Sequence, residues 1–178
     1  MNRDMLEAEL AQLPLCNYRF LKPETLEFSD RVRWICAHEC PMYGKSWACP
    51  PGVGTVEECR ARCLRYSECL LIATMTEVSD LANMTETLKT RFPHERITDA
   101  VAALLRKQKL SPYVLSTQAC TLCEHCSCPD GPCRHPEQMH PCVESHGINL
   151  LPVIAEMGME FQAGSNLVTW FSLLFYSE

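Results

Sequence analysis

Cys69-Leu70-Leu71-Ile72-Ala73-Thr74 is an unbroken apolar run of strand length, bounded by Ser67-Glu68 before it and Thr76-Glu77 after it. A short continuous apolar run between polar ends reads as a buried strand. Upstream of it, Thr55 and Glu58 have the spacing of a capping box, and Val56, Cys59, Cys63 and Tyr66 share the apolar face of the helix that follows. Downstream, Ser79 is placed to cap a helix that carries Leu81, Met84 and Leu88, and Pro93 breaks or kinks it. A further helix runs from about Glu95 to Lys109, with Ile97, Val101, Leu104 and Leu105 inward. Tyr113 to Gln118 reads as another strand. Nearer the N-terminus, Arg31 to Cys36 alternates as a strand does, and Met1 to Leu13 is an amphipathic helix that Pro14 ends. Residues 1–30 therefore read as an N-terminal helical extension. Near the other end, Leu151 to Met157 reads as a helix with Pro152 in its first turn and Gly158 past its end. Met159 to Ala163 and Leu167 to Tyr176 form a hairpin pattern around Gly164-Ser165-Asn166. Together these elements predict one α+β domain over residues 1–178. It has a small mixed or antiparallel sheet, helices on one side, and two cysteine-rich loops at 36–54 and 120–147.

The chain has 178 residues, a formal net charge of −6, 47% hydrophobic residues and 21% charged residues. That balance excludes a disordered chain. It also argues against a basic nucleic-acid surface, since no Lys/Arg run occurs. No stretch of 18 apolar residues is present, so no membrane-spanning helix is expected. The first residues carry Asp4, Glu7 and Glu9 in place of a basic patch and an apolar run, unlike a signal peptide. A cytoplasmic, reducing location is expected. There, 13 cysteines, an odd number, read as metal ligands or redox groups before disulfides.

The densest motif is Cys120-x2-Cys123-x2-Cys126, followed by Cys128 and Cys133. Two-residue spacers let a short loop curl several thiolates around one compact cluster, as in the ferredoxin runs that hold a [4Fe–4S] cube. Pro129-Asp130-Gly131-Pro132 can turn the chain back, which makes Cys133 the expected fourth ligand, and Cys128 is expected to point away. Zinc is the alternative, although zinc sites usually show two separated C-x2-C pairs. The second constellation is Cys36-x3-Cys40-x8-Cys49-Pro50-Pro51. It supplies three thiolates and leaves a fourth ligand to come from elsewhere (Cys16, Cys69, Cys128 or a histidine), or one iron open. In two-cluster ferredoxins a run's fourth cysteine serves the other cluster, so Cys49 and Cys133 can exchange sites.

Cys36-x3-Cys40-Pro41 with Tyr43-Gly44-Lys45, Cys49-Pro50-Pro51, the triplet, Cys133-Arg134-x-Pro136 and Glu144-x-x-Gly147-Ile148 together resemble a known family. It is an uncharacterised family of predicted metal-binding proteins, a cysteine-rich domain of unknown function common in anaerobic prokaryotes. The resemblance runs from about Arg31 to Leu174. It implies an iron–sulfur protein with Cys36, Cys40, Cys49, Cys120, Cys123, Cys126 and Cys133 as ligands, and it assigns no reaction.

The remaining cysteines read as packing. Cys59 and Cys63 lie one helical turn apart, Cys69 heads an apolar strand, and Cys142 follows Pro141 beside the ligand loop, where a spare ligand is the alternative to packing. His125, His135 and His38 read as loop histidines near a site rather than ligands, and Arg134 is placed to touch cluster sulfides or an anionic partner. Lys45 and Trp47, between Cys40 and Cys49, are placed to shield the first cluster or contact substrate. Three functions compete. The first is electron transfer by one or two [4Fe–4S] clusters, with a redox partner protein or as accessory to an anaerobic redox enzyme. The second is catalysis at an open iron on a small molecule. The third is a structural zinc module.

Overall fold

The computed structural model describes residues 1–160 and 164–178. The run at Cys69 lies in the long strand β3 (Glu68–Glu77), which pairs along its whole length with the equally long β6 (Leu167–Tyr176). Short strands flank this pair: β1 (Asn17–Leu21) on β3 and β4 (Tyr113–Leu115) on β6. All pairings in this four-stranded sheet are antiparallel. A separate two-stranded ribbon joins β2 (Glu27–Phe28) to β5 (Ile148–Asn149). The α+β class and the antiparallel sheet agree with the sequence.

Helices lie on both faces of the sheet, not on one as expected. The reason is in β3 and β6, whose side chains are apolar in both directions, so each face needs a cover. Leu70, Ile72 and Leu174 pack with Leu6 and Leu10 of α1 (Arg3–Leu10) and Val101, Ala102 and Leu105 of α5 (Arg91–Lys107). Cys69, Leu71, Phe171 and Phe175 pack with Cys63 of α3 (Val56–Cys63) and with Val153 and Ile154 of α6 (Leu151–Glu156). Cys59, Cys63 and Cys69 are fully buried.

Other expectations are corrected locally. Arg31 to Cys36 is not a strand but part of α2 (Asp30–His38). The Ser29 side chain accepts from the Arg31 amide and Asp30 is acidic in the first turn, and this start outweighs a six-residue alternation. Residues 1–30 hold β1 and β2 as well as a helix. The helix expected after Ser79 is α4 (Met84–Lys89), capped by Asn83, while Ser79 bonds the Glu86 carboxylate. The helix expected from about Glu95 to Lys109 is α5, which starts at Arg91 and takes Pro93 into its first turn, where no intrahelical amide is lost. The capping box at Thr55–Glu58 is present, and α6 carries Pro152 in its first turn. Of the expected hairpin, Leu167 to Tyr176 is β6, but its partners are β3 and β4. Met159 and Glu160 are not in a strand, and residues 161–163 lie outside the described residues.

Two details fix the end of the sheet that carries the cysteines. Gly147 has φ +72° and follows a single 3-10 turn at Glu144–His146. A Cβ there would meet both Val56 methyls at 3.0 Å and the Ser29 carbonyl at 3.1 Å. Across the sheet, His94 of α5 bridges the Thr74 hydroxyl (2.8 Å) and the Ser172 hydroxyl (2.7 Å). Burial lowers the His94 pKa to about 4, and a backbone hydrogen bond to Phe171 opposes this.

Two predictions follow from this packing. Gly147→Ala lowers the denaturation free energy by about 1 kcal/mol or more, since both the dihedral and the contact oppose a side chain. An unchanged denaturation midpoint contradicts that. His94 is neutral when folded and charges near pH 6.5 when unfolded. Its contribution is complete above pH 6.5 and is lost as the pH falls towards 4, by up to about 3 kcal/mol. Stability curves of wild type and His94→Gln measured between pH 7 and 4 converge if this holds, and stay parallel if His94 plays no part.

Candidate metal centre

Both cysteine loops leave from the same end of the sheet. Beyond β4 the chain runs through Ser116 and Thr117 to Gln118, which is left-handed at φ +58°, and then directly into Cys120. A non-glycine residue in that conformation is strained and needs its surroundings to hold it. Cys36 belongs to the last turn of α2, so the first loop starts on a helix and not at a strand end. Its thiol points to the Glu144 carbonyl at 3.8 Å, which ties α2 to the turn before Gly147.

The structure collects the expected ligands into two cavities. One, of about 240 Å³, is lined by Cys36, Cys40 and Cys49, and also by Cys142 and Glu144. The other is narrow, about 20 Å³, and is lined by Cys120, Cys123, Cys126 and Cys133 together with Arg134 and His135. Cys128 does not line the second cavity. All 13 cysteines are free thiols. Among the described residues no three His, Cys, Asp or Glu side chains are arranged around a single-ion position.

The loops also build each other's sites. Ser46 and Trp47, from the loop between Cys40 and Cys49, line the cavity of the second set. The Trp47 indole donates to the Gly131 carbonyl at 2.9 Å, which clamps the turn leading to Cys133. The thiols sense one another across this boundary. Burial, then the neighbouring Cys40, Cys36, Cys120 and Cys126, push the Cys49 thiol up to about 12. Burial and Cys133, Cys123 and Cys126 likewise raise Cys120, against a backbone hydrogen bond at Leu122. Cys126 goes the other way. Burial alone would raise it, but hydrogen bonds from the Cys128 and Trp47 backbones, the Ser46 hydroxyl and the charge of Arg134 together lower it. Arg134 in turn donates to the His125 carbonyl.

The other candidates fall outside. His38 stacks on Trp34 at 4.3 Å and bonds its carbonyl, and it lines neither cavity. Cys16 is exposed at the start of β1. Lys45 lines neither site. Trp47 serves the second set and links the two loops, where the sequence points it at the first set. Cys142 lines the first cavity, although packing is the favoured reading of its sequence position beside Cys133. A further cavity of about 400 Å³ adjoins the first through Ile35, Gln118 and Glu144. Glu144 lines both cavities, and desolvation raises its carboxyl pKa against hydrogen bonds from its own backbone and the Cys142 thiol.

Among the described residues no helix is long and apolar enough to cross a membrane. No curated protein and no solved structure matches the chain. One family does, described as predicted metal-binding protein (DUF2284), over residues 19–176. That span covers both cysteine loops and every strand but the first two residues of β1, and the chain belongs to this family of predicted metal-binding proteins.

Proposed function

We propose that residues 1–178 form one iron–sulfur domain that holds up to two [4Fe–4S] clusters and passes electrons to a redox partner in the cytoplasm. The observation that carries this reading is the convergence of two thiol sets in adjoining cavities at one end of the sheet. Cys120, Cys123, Cys126 and Cys133 form a complete four-thiol donor set. Cys36, Cys40 and Cys49 form a second set in a cavity of about 240 Å³. Around a tetrahedral zinc, sulfurs lie about 3.8 Å apart, given Zn–S bonds of about 2.3 Å. A donor set made only of thiolates suits either zinc or iron–sulfide, and the two-residue spacing of Cys120, Cys123 and Cys126 favours the cluster.

Such a cluster supplies one-electron transfer when bound. The chain's own residues do the rest. Trp47 covers the second set, and amide and hydroxyl donors to the Cys126 sulfur spread its negative charge, which favours a reduced state. Ile35 and Tyr43 line the first cavity and Leu122 the second, and all three expose apolar surface suited to protein contact. The net charge of −6 suits a partner with a basic face. Free thiols in this number suit a reducing compartment.

One observation favours a second reading. The void among Cys120, Cys123, Cys126 and Cys133 is only about 20 Å³, closer to one ion than to a cube. A structural zinc at that set would leave the first set to carry any cluster.

Metal analysis of anaerobically purified protein decides between them. The iron–sulfur reading predicts about eight irons and matching acid-labile sulfide for two cubes, or about four for one, with a brown colour. Cys133→Ala then loses the iron of the second set. Iron and zinc together point to the mixed arrangement. Zinc alone, colourless and unfolding on chelation, contradicts the redox function.

A further inference from the structure

We propose that Cys142 is the fourth protein thiolate of the Cys36, Cys40 and Cys49 set, so that this site is closed to outside ligands. The inference rests on the iron–sulfur reading above and deepens it. Three thiols alone would leave one coordination position to solvent or substrate.

Cys142 meets the requirements of a ligand. It lines the same cavity as the other three sulfurs. It is 8% exposed, beside Cys36 at 9% and Cys49 at 4%. Its backbone is fixed from both sides. The Ser116 amide donates to the Pro141 carbonyl (2.8 Å), and the Val143 amide donates to the Ser116 carbonyl (3.0 Å), which joins Cys142 to the end of β4 in a parallel bridge. The Ser145 amide donates to the Cys142 sulfur at 3.3 Å. An amide donor of that kind orients a ligating thiolate and spreads its charge.

The competing donors are worse placed. Among the described residues, Cys16, Cys69, Cys128 and His38 do not line this cavity. Cys69 packs in the core with Cys63. Glu144 does line it, but a hard carboxylate oxygen is a poorer match for iron–sulfide than a thiolate. Glu144 also faces the adjoining cavity of about 400 Å³. Cys142 therefore completes a second four-thiol set, separate from Cys133 and its neighbours. A saturated pair of sites fits electron transfer, and it removes the open iron that small-molecule catalysis would need.

The test uses the anaerobically purified full chain and the variants Cys142→Ala, Cys142→Ser and Glu144→Gln. The readouts are iron and sulfide per chain and the electron paramagnetic resonance spectrum of the oxidised and reduced protein. We expect Cys142→Ala to lose about half the iron of a two-cluster chain, or to show a three-iron signal in the oxidised protein. Added 2-mercaptoethanol with ferrous iron should restore the four-iron spectrum, and the signal of the second set should persist. Glu144→Gln should keep full iron. Cys142→Ser, of nearly equal volume, separates a lost ligand from a folding defect, read by far-ultraviolet circular dichroism. Full iron and an unchanged spectrum in both Cys142 variants overturn the assignment and leave the iron–sulfur reading intact. Loss of iron in Glu144→Gln alone moves the ligand to Glu144. A wild-type chain without iron overturns both the assignment and the reading beneath it.

Discussion

Thiols brought close together resist the negative charge that metal binding demands of each. Cys49 is surrounded by Cys36, Cys40, Cys120 and Cys126, and its proton is held up to about pH 12 by burial and by those neighbours. Such a crowd ionises together only when a cationic group takes the place of the protons. The fold concentrates this burden at one end of a four-stranded sheet. β4 leads towards Cys120, the last turn of α2 delivers Cys36, and the bridge from Ser116 holds Cys142 just before the turn at Glu144–His146. The hydrogen bonds converging on Cys126 relieve one position of the cluster without a metal.

The scaffold suits that task because its own stability comes from elsewhere. Both faces of β3 and β6 are covered by apolar side chains, and a buried polar chain joins α5 to the sheet through His94, Thr98, Thr74 and Ser172 and runs on to Ser116. The cysteine loops stand outside this core. The second loop is tied to the core by the Ser116–Cys142 bridge and by Arg91 and Asp99 of α5, which bond Thr121 and His140, while Trp47 on Gly131 joins the two loops to each other. Cys63 and Cys69, by contrast, serve as ordinary core residues.

Much of this was legible in the chain itself. The apolar run at Cys69, the capping box at Thr55 and the proline-started helix at Leu151 are local signals, and each element forms where they place it. Tertiary context decided the rest. Arg31 to Cys36 alternates by chance, and the cap at Ser29 makes it a helix. β1 has no buried residue and owes its conformation to pairing with β3, which no local pattern reveals. The candidate site divides in the same way. Spacing announces the triplet and Cys133, because they are near in sequence. Cys142 stands over a hundred residues from Cys36 and is held at the same cavity by the bridge to Ser116, a long-range pairing.

X-ray absorption of the anaerobically purified chain at the iron and zinc edges reads whether these thiols hold iron as sulfide-bridged clusters, as proposed. Iron surrounded by sulfur, with a short iron–iron path and little zinc, is the expected result. Zinc in a four-sulfur shell with no iron contradicts the proposed clusters.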